Sequence, residues 1–327
     1  MIVTLTCNPA LDKTIELAAA LQPGAVQRAA ASHVQAAGKG VNVSRAVHSA
    51  GQPTLAMLPG AGNDPLILAL AADQLPHRAL EINAPLRTNT TLTSPDGTTT
   101  KINEAGPELD STTLEQLTEL VHACCTGADW LVMAGSLPRG VPADFYAQLT
   151  ASLRTQLGAK CPRIAVDTSG EPLRQLFAHE AIHVPDLIKP NAEELAELLG
   201  EDLGEAQLEA DPELTARTST KLLRRPGAAV LTTLGAHGAV LATAEGCWHG
   251  WPQPITPRST VGAGDSSLAG YLLADAAGEA PALKLRQAIA YGTAAASLPG
   301  SSIPTQTDLR IDAVSVIELT PRQGSRP

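Results

Sequence analysis

The sequence predicts an α/β protein whose mainly parallel sheet is covered by helices on both faces, with a small β flap standing off it. Two patterns carry this reading. From residue 114 to residue 199, short apolar β-branched runs alternate with stretches of helical periodicity, the arrangement that builds a parallel sheet. Residues 87–104 alternate instead, are rich in Thr, and have Pro95-Asp96-Gly97 at their centre, which is a hairpin signal. With 327 residues, 44% of them hydrophobic, the chain can bury the core of one large domain or two small ones.

Taken in order, residues 2–6 form a β-branched run ended by Asn8-Pro9, a strand entering a turn. In residues 40–50, Val43, Ala46, Val47 and Ala50 recur at helical spacing, and Gly51 and Pro53 supply stop signals before a strand over 54–58. After the hairpin come a helix over 114–124, a strand over 130–134, a helix over 143–157, and strands over 163–166 and 187–189. A helix over 193–199 closes this series. Strands over 229–233 and 239–243, joined by Leu234-Gly-Ala-His-Gly238, predict a turn to antiparallel pairing. Helices over 266–277 and 283–298 follow. The charged stretch 200–217 reads as a solvated helix with loops, and the tail from Pro321 as disordered. No repeat or linker divides the chain, so a single domain with a flap is expected.

Composition excludes several functions. Aromatic residues make up 2%, too few for a stacking platform, and the net charge of −10 comes without any run of Lys or Arg, so no nucleic-acid partner is expected. No segment has the apolar length of a membrane span, and the start carries no secretory pattern, so a soluble, cytoplasmic protein without membrane partners is expected. Cys7, Cys124, Cys125, Cys161 and Cys247 are odd in number and lack zinc-type spacing, and read as reduced buried thiols. His179-Glu180-Ala-Ile-His183 is a literal HExxH, but Pro185 and the strand that follows leave too little helix to present two zinc ligands.

The stretch richest in chemistry is Ser259-Thr-Val-Gly-Ala-Gly-Asp265-Ser-Ser-Leu-Ala-Gly270. The amides of Gly262, Ala263 and Gly264, set just before a helix with little side-chain cover, make a pocket of partial positive charge for an anion. Asp265, ionised at the head of that helix, can accept a proton from an attacking hydroxyl. The competing reading makes Asp265 a helix cap and the glycines a turn. A dinucleotide fingerprint is ruled out by Ser267, and a P-loop by His33 and by the absence of Ser or Thr after Gly38-Lys39.

GAGDS here and AGKGVNVSRA around Lys39 resemble the two signatures of the ribokinase-like (PfkB-type) carbohydrate kinases. Thr6-Cys-Asn8-Pro9-Ala-Leu-Asp12, Arg87-Thr-Asn89, Gly135-Ser136-Leu-Pro138, Lys189-Pro-Asn191-Ala-Glu-Glu194 and Leu234-Gly-Ala-His-Gly238 resemble, in order along the chain, its phosphofructokinase and tagatose-6-phosphate kinase branch. The resemblance implies a three-layer ribokinase-like domain over residues 1–320, with a lid from about 12–36 and 86–106. It implies an ATP- and Mg²⁺-dependent sugar-phosphate kinase with Asp265 as base and Gly262, Ala263 and Gly264 as anion hole. By the same likeness, Asp12, Gly38, Lys39, Asn42, Arg87, Asn89 and Ser136 bind the sugar phosphate, with Arg87 on its phosphate. Lys189, Asn191, Glu194, Thr233, Gly235, Gly238 and Ser259 face the nucleotide, and Glu194 meets Mg²⁺ through water. Asn191 and Glu194 also have capping-box spacing, and both readings can hold together. The expected partner is a second copy of the chain, clasped through the lid with Arg28 near the neighbouring site. Fructose 1-phosphate ranks first as substrate, then tagatose 6-phosphate, then fructose 6-phosphate. The rivals are a kinase of unphosphorylated sugars or nucleosides and a non-catalytic binding protein.

Overall fold

The computed structural model describes residues 1–200 and 203–319. Among the described residues fourteen strands form two sheets. They are β1 (Ile2–Leu5), β2 (Ala10–Leu17), β3 (Ala29–Ala37), β4 (Thr54–Pro59), β5 (His77–Leu80), β6 (Arg87–Thr93), β7 (Thr99–Asn103), β8 (Trp130–Ala134), β9 (Arg163–Asp167), β10 (Leu187–Ile188), β11 (Ala229–Thr233), β12 (Ala239–Thr243), β13 (Gly246–Pro252) and β14 (Val314–Leu319). Among the same residues ten α-helices join them: α1 (Lys39–Ser49), α2 (Pro65–Ala72), α3 (Ser111–Cys125), α4 (Phe145–Leu157), α5 (Gly170–Gln175), α6 (Ala192–Leu199), α7 (Glu205–Ala210), α8 (Pro212–Thr220), α9 (Ala263–Ala276) and α10 (Pro281–Ala296).

The ten-stranded sheet runs β14-β13-β12-β11-β10-β9-β8-β1-β4-β5, parallel from β11 to β5 and antiparallel from β11 to β14. Its central strands, among them β1, β8, β10 and β11, are buried on both faces, so they carry largely apolar runs. On β8, Leu131 and Met133 enter one core with α3, α4 and α6, while Trp130, Val132 and Ala134 enter a second with α1, α9 and α10. The second sheet, β3-β2-β6-β7, is the flap, largely polar and solvated. The expected sheet covered by helices on both faces, with a small β flap, is therefore present.

Three readings from sequence need correction. The stretch 200–217, apart from residues 201 and 202, is mostly solvated as read but holds α7 and the start of α8 rather than one helix, and Leu208, Thr215 and Ala216 turn into the protein. Cys161 and Cys247 are half-buried, unlike the three other thiols. The helix expected to start at 266 starts at Ala263. The expected disordered tail lies outside the described residues. His183 ends a single 3-10 turn, Ala181–His183, that His179 precedes, and their rings lie 5.0 Å apart, so no α-helical face presents them. Several elements went unread. Helix α2 had a legible start in Asp64-Pro65, where Asp64 caps the amide of Leu66 at 2.9 Å.

Gly238 illustrates how tightly the antiparallel end is drawn. Its φ is +90°, and a Cβ there would sit 2.0 Å from the carbonyl oxygen of Gly250 and 2.7 Å from Cα of Trp251. Neither neighbour is the end of a flexible side chain. Gly238→Ala should therefore lower unfolding stability by roughly 3 kcal/mol in a urea titration. A midpoint unchanged from wild type would mean that β13 can shift to make room.

Candidate active site

A cleft of about 670 Å³ lies at the carboxyl ends of the parallel strands, under the flap, where open α/β sheets bind their ligands. Its wall gathers Asp12, Gly38, Lys39, Asn42, Arg87, Asn89, Lys189, Asn191, Glu194, Thr233, Gly235, Gly262, Gly264 and Asp265. Ala263, Ser136, Gly238 and Ser259 are not on that wall. The amide of Ala263 turns back to the carbonyl of Thr260 at 3.3 Å. The hydroxyl of Ser259 accepts the amide of Val261 at 3.2 Å, and Gly238 makes room for β13 rather than for a ligand. Ser136 is exposed, its hydroxyl taking a 3.2 Å bond from Asn8 Nδ2.

Asp265 is the third residue of α9 and does not cap it. The N-cap is Gly262, left-handed at φ +76°, and no side chain caps the helix. The carboxylate instead accepts a 2.8 Å bond from Asn42 Nδ2 of α1 and is buried in the first turn of its helix. Gly264 is bare because the ammonium of Lys189 lies 3.1 Å from where its Cβ would be.

Among the residues that sequence reading missed is Asp167, at the carboxyl end of β9 and 1% exposed. Lys39 Nζ lies 2.9 Å from its Oδ1 and Lys189 Nζ 3.1 Å from its Oδ2. Burial pushes the Asp167 carboxyl up, but the charges and hydrogen bonds of the two lysines outweigh it, and it stays below the usual carboxylate range. The Lys39 ammonium is held above its ordinary value chiefly by Asp167, with help from Asp265 and Glu194. Asp265 is the opposite case. Burial and then the charge of Asp167 push it up, the Asn42 bond and the two lysines pull part of the way back, and it comes to rest at about 6. A carboxylate poised there is a competent base near neutral pH. A position just past a parallel strand was the available signal for Asp167.

At the flap end, the parallel pairing of β2 with β6 sets Asp12 opposite Asn89 and Ala10 opposite Arg87. Asn89 Nδ2 donates to Asp12 Oδ1 at 3.0 Å. Burial raises the Asp12 carboxyl, opposed by Asn89, Arg87 and Lys101. Burial also lowers the Arg87 guanidinium, which Asp12 counters. The acceptor oxygens Asn42 Oδ1 and Asn89 Oδ1 are buried and find no donor among the described residues. Unmet acceptors in such a wall suit hydroxyl-rich ligands.

At the other end, Asn191 and Glu194 do form a capping box: Asn191 Oδ1 accepts the Glu194 amide at 2.7 Å, and Glu194 Oε2 accepts the Asn191 amide at 2.9 Å. One Glu194 oxygen is thereby left for the cleft. Glu205, Glu209, Thr260 and Val261, unnamed from sequence, complete this side. Among the described residues no group of three His, Cys, Asp or Glu side chains converges as a metal cage.

Comparison with known proteins follows the same direction. Residues 6–310 match the pfkB family of carbohydrate kinases. The chain is 34% identical to 1-phosphofructokinase of Rhodobacter capsulatus over 316 residues, 93% of this chain and 92% of that one. It is 33% identical to 1-phosphofructokinase of Xanthomonas campestris pv. campestris, over 82% of each. Phosphofructokinase-2 from Escherichia coli, solved in complex with fructose-6-phosphate, superposes with a TM-score of 0.82 at 28% identity, over 94% of this chain and 96% of that one.

The ionisation of Asp265 has measurable consequences. The pH profile of kcat/KM should rise through a midpoint near 6, because only the ionised carboxylate takes a proton. Asp167→Asn, by removing a like charge, should move that midpoint to lower pH. Asp265→Asn should cut kcat roughly 10³-fold. A carboxyl whose folded value exceeds its unfolded one costs stability once it ionises, so the same substitution should raise Tm at about pH 8 and give no gain below about pH 4. A flat profile, or a lower Tm for Asp265→Asn at the higher pH, would remove Asp265 from this role.

Proposed function

The chain belongs to the pfkB family of carbohydrate kinases, and from that premise we propose that it transfers the γ-phosphoryl group of ATP to fructose 1-phosphate, giving fructose 1,6-bisphosphate and ADP. The observation that carries this reading is one continuous cleft with Arg87 at the flap end and Asp265 at the end of α9. A guanidinium grips a phosphate already on the sugar, and a buried base activates the free primary hydroxyl. The 1-phosphofructokinase relatives support this substrate.

Asp265 takes the hydroxyl proton as the new O–P bond forms and the bond to the leaving ADP oxygen breaks. The amides of Gly262 and Gly264, with Lys39 and Lys189, offset the charge developing on the phosphoryl oxygens. Asp12, Asn42 and Asn89 orient the sugar hydroxyls. Asn191, Thr233 and Gly235 are assigned to the nucleotide side, and the flap keeps water from being phosphorylated instead. Mg²⁺ fits as magnesium usually does beside nucleotide phosphates, through one carboxylate, Glu194, and water; when bound it supplies charge neutralisation of the phosphates.

A second copy of the chain is the proposed partner, through the flap. Val26 at 101% exposure, Val34 at 53% and Ile102 at 57% are apolar side chains that the protomer leaves uncovered. A cytoplasmic location and a single kinase domain complete the reading. No helix among the described residues is long and apolar enough to cross a membrane. Fructose 6-phosphate is the alternative favoured by the Escherichia coli structure, and Gly106-Pro107-Glu108 keeps tagatose 6-phosphate in consideration.

An ADP-release assay with Mg-ATP and each of these sugar phosphates, with fructose as control, tests the assignment. Fructose 1-phosphate should give the highest kcat/KM. No turnover of any of them would leave a sugar-phosphate-binding protein. Arg87→Ala should raise KM for the sugar phosphate about tenfold or more while leaving KM for ATP little changed. Equal effects on both would take Arg87 off the sugar phosphate.

A further inference from the structure

Asn8 lies just past β1 and is 6% exposed. Pro9 after it favours extended backbone and fixes the direction of its carbonyl. That carbonyl accepts two bonds from Arg87, from Nε at 3.3 Å and Nη2 at 3.1 Å. The carbonyl of Glu104 takes Arg87 Nη1 at 3.2 Å. The guanidinium is thus clamped from two sides, and its remaining N–H groups keep one direction. The side-chain amide of Asn8 meanwhile donates to Ser136 Oγ at 3.2 Å and to the carbonyl of Ala105 at 3.4 Å.

Because Ser136 Oγ acts as acceptor toward Asn8, its own hydrogen is free to be donated outward. The loop under it is held from below, where Gly135 O accepts Tyr146 Oη at 3.2 Å and Thr168 Oγ1 at 3.0 Å. On the far side, Gly106 at φ +86° has no room for a side chain: its Cβ would lie 2.2 Å from Asn8 Oδ1. Asn8 therefore joins three segments, β6, the loop after β7 and the loop after β8, and sets the spacing between a cation and a hydroxyl donor.

We propose that Asn8 is a positioning residue for the sugar phosphate's phosphate group, fixing Arg87 and Ser136 so that their free donors converge on one anion. This rests on the function proposed above. It adds that Ser136, although off the cleft wall, is held toward that anion by Asn8.

The test measures binding of fructose 1-phosphate by calorimetry without nucleotide, and steady-state kinetics, in wild type, Asn8→Ala, Asn8→Asp, Arg87→Ala and Asn8→Ala/Arg87→Ala. Asn8→Ala should weaken sugar-phosphate binding and raise its KM about tenfold, with KM for ATP and the midpoint of the pH profile unchanged. Added to Arg87→Ala it should cost less than about twofold more, since both act on one cradle. Should Asn8→Ala fail to fold, Asn8→Asp keeps the shape but turns the Ser136 proton inward, and should raise the same KM selectively. Sugar-phosphate KM within about twofold of wild type in a folded Asn8 variant, or a full tenfold loss on top of Arg87→Ala, would overturn the proposal. A wild-type protein that binds and turns over no sugar phosphate would instead overturn the function itself, and this proposal with it.

Discussion

Asp167 is enclosed at the end of β9, and the ammoniums of Lys39 and Lys189 hold its two oxygens from different segments of the chain. A buried carboxylate without partners is costly, and breaking such a pair by removing one partner typically costs about 3–5 kcal/mol. The strand that supplies Asp167 is therefore tied to the start of α1 and to the turn between β10 and α6. Asp265, a few side chains away, feels the residue of that charge balance. Two carboxylates in one pocket cannot both ionise freely: the one with the lysines stays charged, and the other is raised toward neutrality. Which carboxyl stays charged and which is raised follows from which of them the lysines reach.

The same arrangement explains why small residues crowd here. Gly264 leaves space for the Lys189 ammonium, and Gly38, at φ +124°, would carry a Cβ 2.7 Å from Thr6 Cγ2. Helix α9 is buried along nearly its whole length, from Asp265 to Asp275, so its sequence shows almost no amphipathic stripe. Its far end is anchored independently, by Asp275 accepting Trp130 Nε1 at 2.9 Å and pairing with Lys284 at 2.8 Å. A helix fixed at both ends presents the first-turn amides and Asp265 without reorganisation, as electrostatic preorganisation requires.

The flap works differently. Its strands have few buried side chains, so propensity and hydrophobic periodicity say little about them, and β2 and β3 were legible only through resemblance. The hairpin β6–β7 was legible because its turn chemistry is local. Once β2 pairs with β6 in parallel, Asp12 meets Asn89 across the ladder. That contact between residues 77 positions apart has no local signature.

By itself the sequence determined the alternation of strands and helices, the switch to antiparallel pairing around Gly235, the capping box of Asn191 and Glu194, and the glycine-rich stretch before Asp265, because each depends on residues close together in the chain. Tertiary structure alone decided that Asp265 answers to Asn42 rather than capping its own helix, and that Asp167 stands between two lysines. It also decided that Asn8 ties Arg87 to Ser136. Ionisation and hydrogen-bond partnership are set by distance and burial, and those exist only once the ends of separate strands have been brought to one edge of the sheet.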